Sequence, residues 1–183
     1  MDSLFFEEEH RIIQKMVCDF AKDEILPKAK ELDKNGSFPK EIVKKMGQIG
    51  LMGMNVPAKY GGSELDTISY TAAIIELAKA DASVAITMVS HTSLGTLPLL
   101  LFGNERLKKK YLPKIASGEM LSALALTEPY AGSDTDSIKT TAIKVGDKYI
   151  VNGGKIFITN AGEAGLLSFT SRVFEGDDDK GIG

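Results

Sequence analysis

Two stretches of the chain concentrate groups that can do chemistry. The first is LALTEPYAGSD at 124–134, a short apolar run that opens into a loop of Gly, Ser and Asp. In such a loop, exposed backbone N–H groups and hydroxyls can hold anionic or carbonyl-rich groups. The second is KIFITNAG at 155–162, which sets an aromatic ring, a hydroxyl and an amide at the end of an apolar run. Together they could line a planar heterocycle, with donors for its ring atoms and an apolar face against its rings. The residues alone leave a plainer reading open, in which both stretches are β-turns between strands.

Other reactive side chains are few. Glu128 is the tempting carboxylate inside the first stretch, but a general base needs a substrate geometry that nothing in the sequence supplies, so it reads as a loop residue. His91 lies in the apolar segment SHTSLG without an evident carboxylate partner, and reads as a helix residue with its polar atoms satisfied. His10 sits on the polar side of the first helix, and no metal site is expected. Cys18, the single cysteine, reads as a small core residue and excludes an internal disulfide. Lys108, Lys109 and Lys110 read as a solvated helix face.

The elements that must position the two stretches change character near residue 120. Before it the apolar spacing is helical. Ile12, Ile13, Met16, Val17 and Phe20 share one face. Pro27 interrupts that pattern, and Asn35-Gly36 ends it. Pro39 suits a first turn, and Ile42, Val43 and Met46 form the next stripe. Asp66 can cap a helix carrying Tyr70, Ile74 and Leu77, and Asp81 or Ser83 can cap another that runs to about Phe102. That helix is apolar nearly all round and should be central, with Pro98 kinking it or shifting its start. Asn104 caps a last helix bearing Leu107, Leu112 and Ile115. After Gly118 the pattern favours strands at 121–126, 140–145, 149–151, 155–159 and 166–173. Gly146-Asp147 and, most strongly, Asn152-Gly153 read as hairpin turns. Helices followed by antiparallel strands give an α+β class: an all-α bundle at 1–120, then an incomplete antiparallel β-barrel or sandwich at 121–183.

The composition is that of an ordinary globular chain. Of 183 residues, 43% are hydrophobic and 26% charged, with a formal net charge of -3. A near-balanced, slightly acidic chain lacks the footprint of a nucleic-acid binder. The most apolar run, around 83–102, carries Ser, Thr, His and Pro and reads as a buried helix rather than a membrane span. The start, MDSLFFEEEH, is acidic where a signal peptide is basic. A cytoplasmic location is therefore expected. The chain closes on EGDDDKGIG, which reads as a solvated turn with no closing core element.

The motif L-T-E-P-x-A-G-S-D, followed by N-G-x-K-x-F-I-T-N-A-G, resembles the paired flavin-binding motifs of the acyl-CoA dehydrogenase family. The segments VPAKYGG at 56–62, IIELAKAD at 74–81 and FGNERLKKKYLPKIASGE at 102–119 are similar to that family's helical domain, so the resemblance covers nearly the whole chain. Phe157, where many members carry Trp, is similar to the bacterial short-chain (butyryl-CoA-like) branch.

The resemblance implies an FAD enzyme that desaturates acyl-CoA thioesters between the α and β carbons, passes electrons to an electron-transfer flavoprotein and assembles as a homotetramer. It implies that Leu124, Leu126, Thr127, Gly132, Ser133, Phe157, Ile158 and Thr159 contact the flavin. Ser133, Leu94 and Leu97 would face the acyl-CoA. It places the catalytic base in a C-terminal helical domain outside these 183 residues, so the segment alone would be inactive. The alternatives are an oxidase or flavin monooxygenase of the same fold, or a non-catalytic helical interaction module with a decayed flavin site. An unfinished β part would be poorly ordered, paired with another chain, or held by the helical block.

Overall fold

The computed structural model describes residues 6–183; the first five residues of the acidic start lie outside it. Helix α1 spans Glu8–Phe20, α2 Leu26–Asn35 and α3 Lys40–Gln48. They are followed by α4 Thr67–Ala80, α5 Ala82–Val89, α6 Leu97–Phe102 and α7 Glu105–Ala116. The expected caps form: Asp66 accepts from the Ser69 N–H, Asp81 from Ser83 and Val84, and Asn104 from Leu107. Gly36 closes α2 in the left-handed conformation.

Two prolines leave the same mark. Pro27 and Pro98 have no N–H to give the helix, and their rings crowd the carbonyl four residues back. Each of those carbonyls falls in a π-helical turn, at Ala21–Ile25 before α2 and at Ser90–Gly95 before α6. The wider turn absorbs the clash without breaking the rod. The run Ala82–Phe102 is thereby continuous and, at a mean hydropathy of 1.5, meets the length and composition of a membrane span, contrary to the reading of the sequence. Packing accounts for the apolarity of one side, since 56% of its 18-residue apolar window is buried inside the protein.

The helices enclose a core of Val17, Ile25, Met46, Leu77 and Met88, with a second cluster of Val56, Leu99, Leu112 and Ile115 beside it. The stripe of α1 is narrower than its spacing implies: Val17 is buried, whereas Ile12 and Met16 are exposed. The helix ending at Phe102 is likewise not buried all round. Ile86, Leu94, Leu97, Leu101 and Phe102 stand out of it as an exposed apolar stripe.

The strands are β1 Leu121–Ala125, β2 Thr141–Val145, β3 Lys148–Asn152, β4 Ala164–Phe169, β5 Arg172–Glu175 and β6 Asp178–Ile182. The α+β class is as expected, but the strand sense is mixed rather than wholly antiparallel. β1 pairs β4 in parallel, and the second sheet runs β3-β2-β5-β6 with β2 and β5 parallel. The cause is the segment 153–163. Asn152-Gly153 ends β3 without making a hairpin. A Cβ on Gly153 would stand 2.3 Å from the Thr140 hydroxyl, so this glycine serves close backbone approach. The expected strand at 155–159 is replaced by loop, because Phe157 and Asn160 take φ of 56° and 68° and cannot continue a ladder. The expected strand at 166–173 divides at Thr170 and Ser171, where the chain passes from one sheet to the other. Gly176-Asp177 turns β5 into β6, so the acidic run belongs to a hairpin.

The strands are tied to the helices by one buried seam. His91 is fully buried in the π-turn. Its Nδ1 accepts the Ser122 N–H at 3.0 Å, and its Nε2 donates to the Ile115 carbonyl at 3.2 Å. The ring is therefore a neutral tautomer joining the π-turn, α7 and β1. Burial holds its pKa down at about 4. Thr96 and Ser122 hydroxyls meet at 3.0 Å alongside. Gly95 lets the helix lie on the strand, since a Cβ there would come within 2.5 Å of the Ser122 carbonyl carbon. Of the three fates foreseen for the β part, it is contact with the helical block that the structure displays.

Below the ordinary histidine pKa of 6.5 the unfolded chain takes up a proton that folded His91 refuses until about pH 4. Stability is thus intact above pH 6.5 and falls by up to roughly 3 kcal/mol as the pH drops to 4. Urea unfolding across that window should lose this component in His91→Gln, which keeps one donor and one acceptor but cannot ionise.

Candidate functional site

The end of β1 and the loop at 154–160 lie side by side, and the contacts between them are specific. The Ile156 N–H donates to the Thr127 carbonyl at 2.9 Å. The Lys155 ammonium donates to the Leu126 carbonyl at 2.9 Å, to the Thr170 hydroxyl at 3.2 Å and pairs with Glu128 Oε1 at 2.8 Å. Glu128 also accepts the Lys139 N–H at 2.8 Å and the Thr140 N–H at 3.0 Å. The pair is nearly buried, with 11% of the Lys155 side chain and 5% of the Glu128 side chain exposed.

Burial pushes the Glu128 carboxyl up, but the Lys155 ammonium and the two backbone N–H groups outweigh it and hold the pKa at about 2. A carboxylate so stabilised is a poor proton acceptor, and its lone pairs face inward. Glu128 is a structural anchor, as its place in the loop implied. Its backbone also closes a tight turn with Ala131, through N–H···O contacts of 2.9 and 3.2 Å, and this turn leaves Pro129 and Tyr130 exposed.

The second loop is fixed at its other end as well. Asn160 is buried and donates through Nδ2 to the Thr87 carbonyl of α5 at 2.9 Å. Between the two anchors, Phe157 is 89% exposed in a left-handed backbone conformation that a bulky residue rarely adopts. Thr159 is exposed, and Ile158 lines a cleft of about 390 Å3 with Ala125, Val151, Leu167 and Phe169.

The candidate residues therefore fall into three places. Leu124, Leu126 and Thr127, all half-buried, share the β1 end, and Phe157, Ile158 and Thr159 share the loop bonded to it. Gly132 and Ser133 occupy the exposed loop beyond Ala131, with open space where a Gly132 side chain would stand. Leu94 and Leu97 are apart from both: they are 48% and 40% exposed on the helix stripe rather than in its core. The reason is that the helix buries its opposite side, which carries His91, Thr92 and Thr96, against β1 and α4.

Two groupings escaped the sequence reading. Lys155 and Asn160 anchor the loop, and the sole signal for them was a lysine and an amide inside an otherwise apolar motif. Glu9, His10 and Asp66 bring potential metal-ligand atoms within 4.8 Å of one another, although His10 and Asp66 are distant in sequence. The His10 ring is already committed, accepting the Glu7 N–H at 2.9 Å and meeting Asp66 at 2.8 Å. The Asp66 carboxylate raises the His10 pKa, while the Ser69 N–H and His10 hold Asp66 at about 2.

The geometry agrees with what the chain is similar to. The model for the acyl-CoA dehydrogenase N-terminal domain matches residues 7–119, and that for the acyl-CoA dehydrogenase middle domain matches 123–183. An acyl-CoA dehydrogenase of Bacillus subtilis is 51% identical over 159 residues, 87% of this chain and 42% of that protein. The structure of butyryl-CoA dehydrogenase from Megasphaera elsdenii superposes with a TM-score of 0.90 at 36% identity, over 98% of this chain and 48% of that one. An acyl-CoA dehydrogenase from Bacillus anthracis, complexed with FAD, superposes with a TM-score of 0.86 at 40% identity, over 92% of this chain and 29% of that one. The chain spans about half the length, or less, of these relatives. With both domain models matched end to end along a helical block and the strands pinned to it, the chain belongs to the acyl-CoA dehydrogenase family.

Proposed function

We propose that the chain is the helical and flavin-facing part of an FAD-dependent enzyme that desaturates short acyl-CoA thioesters and hands electrons to an electron-transfer flavoprotein. The observation that carries this reading is the locking of the two motif loops through Lys155, Glu128 and the Ile156–Thr127 hydrogen bond, with Phe157 left in the open between anchors.

The residues present fit an isoalloxazine ring. Phe157 offers an exposed aromatic face, and Leu124 and Leu126 offer apolar surface. Gly132 borders open space, and the hydroxyls of Ser133 and Thr159 have no partner among the described residues. In this reading Thr127 and Thr159 donate hydrogen bonds to ring atoms, Ser133 also faces the thioester, and Phe157 and Ile158 exclude water from one side. FAD, when bound, supplies the acceptor for the electron pair that leaves the substrate.

Neither carboxylate of the two loops is placed as a base among the described residues, because Glu128 is spent on Lys155 and Asp134, exposed, accepts the Ser137 hydroxyl. We infer that the proton-abstracting carboxylate lies outside this chain, in keeping with the coverage of about half of each relative. The exposed stripe of Ile86, Leu94, Leu97, Leu101 and Phe102 supports the same view, as an apolar surface of that kind marks a site of contact.

The purified chain should turn yellow with FAD, and butyryl-CoA added without oxygen should not bleach it; bleaching would put the base within these residues. Phe157→Ala should weaken FAD binding by about three- to tenfold, read by quenching of flavin fluorescence, in line with the worth of an aromatic contact. Glu128→Gln should cost roughly 3 kcal/mol in denaturant unfolding by stranding the Lys155 charge.

A further inference from the structure

We infer that Lys155 is a positioning residue for the bound ring, acting through the Leu126 carbonyl to aim the Thr127 N–H at an electron-rich edge of the ligand; this deepens the flavoprotein reading and rests on it. Lys155 does not itself reach a ligand. Its ammonium has three protons, and Glu128, the Leu126 carbonyl and the Thr170 hydroxyl take them at 2.8, 2.9 and 3.2 Å.

The effect passes through peptide geometry. The described residues contain no cis peptide bond. In a trans peptide the carbonyl of one residue and the N–H of the next point in opposite directions. Drawing the Leu126 carbonyl inward to the ammonium therefore turns the Thr127 N–H away from Lys155. No backbone acceptor among the described residues takes that N–H. The next peptide plane is fixed as well, because the Thr127 carbonyl accepts the Ile156 N–H at 2.9 Å. Both planes flanking Thr127 are thus set by the second loop, the one that also presents Phe157. An N–H held outward beside an exposed aromatic ring suits a heteroaromatic nitrogen or carbonyl oxygen, the acceptors that line the edge of a flavin.

The charge is not what the site uses, since Glu128 neutralises it at 2.8 Å. Direction is. A lysine places a compact donor among three acceptors that converge on one point, whereas an arginine spreads its donors over a planar fork.

Lys155→Arg is accordingly the decisive variant. It keeps the charge opposite Glu128 while losing the point donation to Leu126. The expected result is FAD binding weakened by roughly tenfold, the scale of one misaligned backbone N–H hydrogen bond. The flavin absorption bands should shift toward those of free FAD, and the flavin-free protein should melt within a few degrees of the wild type. If the arginine variant fails to fold, the pair Lys155→Met with Glu128→Gln removes the buried charges together and is expected to give the same loss. Wild-type affinity and spectrum in a folded variant would overturn the inference. So would an affinity that falls only in step with the stability of the flavin-free protein. Wild-type protein that takes up no flavin would overturn the flavoprotein reading and this inference together, whereas a yellow wild type with an unaffected variant would overturn this inference alone.

Discussion

The buried ion pair between Lys155 and Glu128 is the constraint on which the site depends. Taking two charges out of water costs free energy that their attraction alone seldom recovers. Here the remaining hydrogen-bonding capacity is filled: two backbone N–H groups on the carboxylate, and a carbonyl and a hydroxyl on the ammonium. The pair thereby binds the end of β1, the start of β2, the loop at 154–160 and the end of β4 to one point. Its worth is geometric more than energetic. A pair of apolar side chains of the same volume would pack the same space without fixing the direction of the Leu126 carbonyl.

A second constraint lets that point exist at all. Sheets this small rarely hold together alone. The neutral His91 ring joins β1 to the π-turn and to α7, and Asn160 joins the far end of the loop to α5. Helical packing, with a core of Met46, Leu77 and Met88, thus supplies rigidity to a loop that has little core of its own. The left-handed Phe157 is tolerable for this reason, since strain of that kind persists only where the surroundings over-determine the backbone.

Much of the architecture was legible from residue types with local meaning. Asp66, Asp81 and Asn104 cap because their oxygens reach N–H groups two or three residues on, and Gly36 ends α2 because it alone takes positive φ freely. What misled the reading was non-local. Asn152-Gly153 has the chemistry of a hairpin, but Gly153 answers to Thr140 across the sheet. The KIFIT run has the composition of a strand, yet its lysine is claimed by Glu128 and its aromatic by open space. The leucines at 94 and 97 look like core because apolar spacing cannot tell which side of a helix has a neighbour. The grouping of 124–127 with 156–159 came from a resemblance to a family rather than from any spacing rule, and the structure brings those segments into hydrogen-bond contact.

Two loops, locked from within by one ion pair, are proposed to present a single wall to a flavin. Backbone amide NMR of the chain titrated with FAD tests it most directly. The largest shifts should fall on Thr127, Ser133, Phe157 and Thr159 as one group, with Lys155 and Glu128 little moved because they lie behind the wall. Shifts confined to the cleft beside Val151 and Leu167, or spread over α1 to α3 with those four amides unmoved, would contradict it.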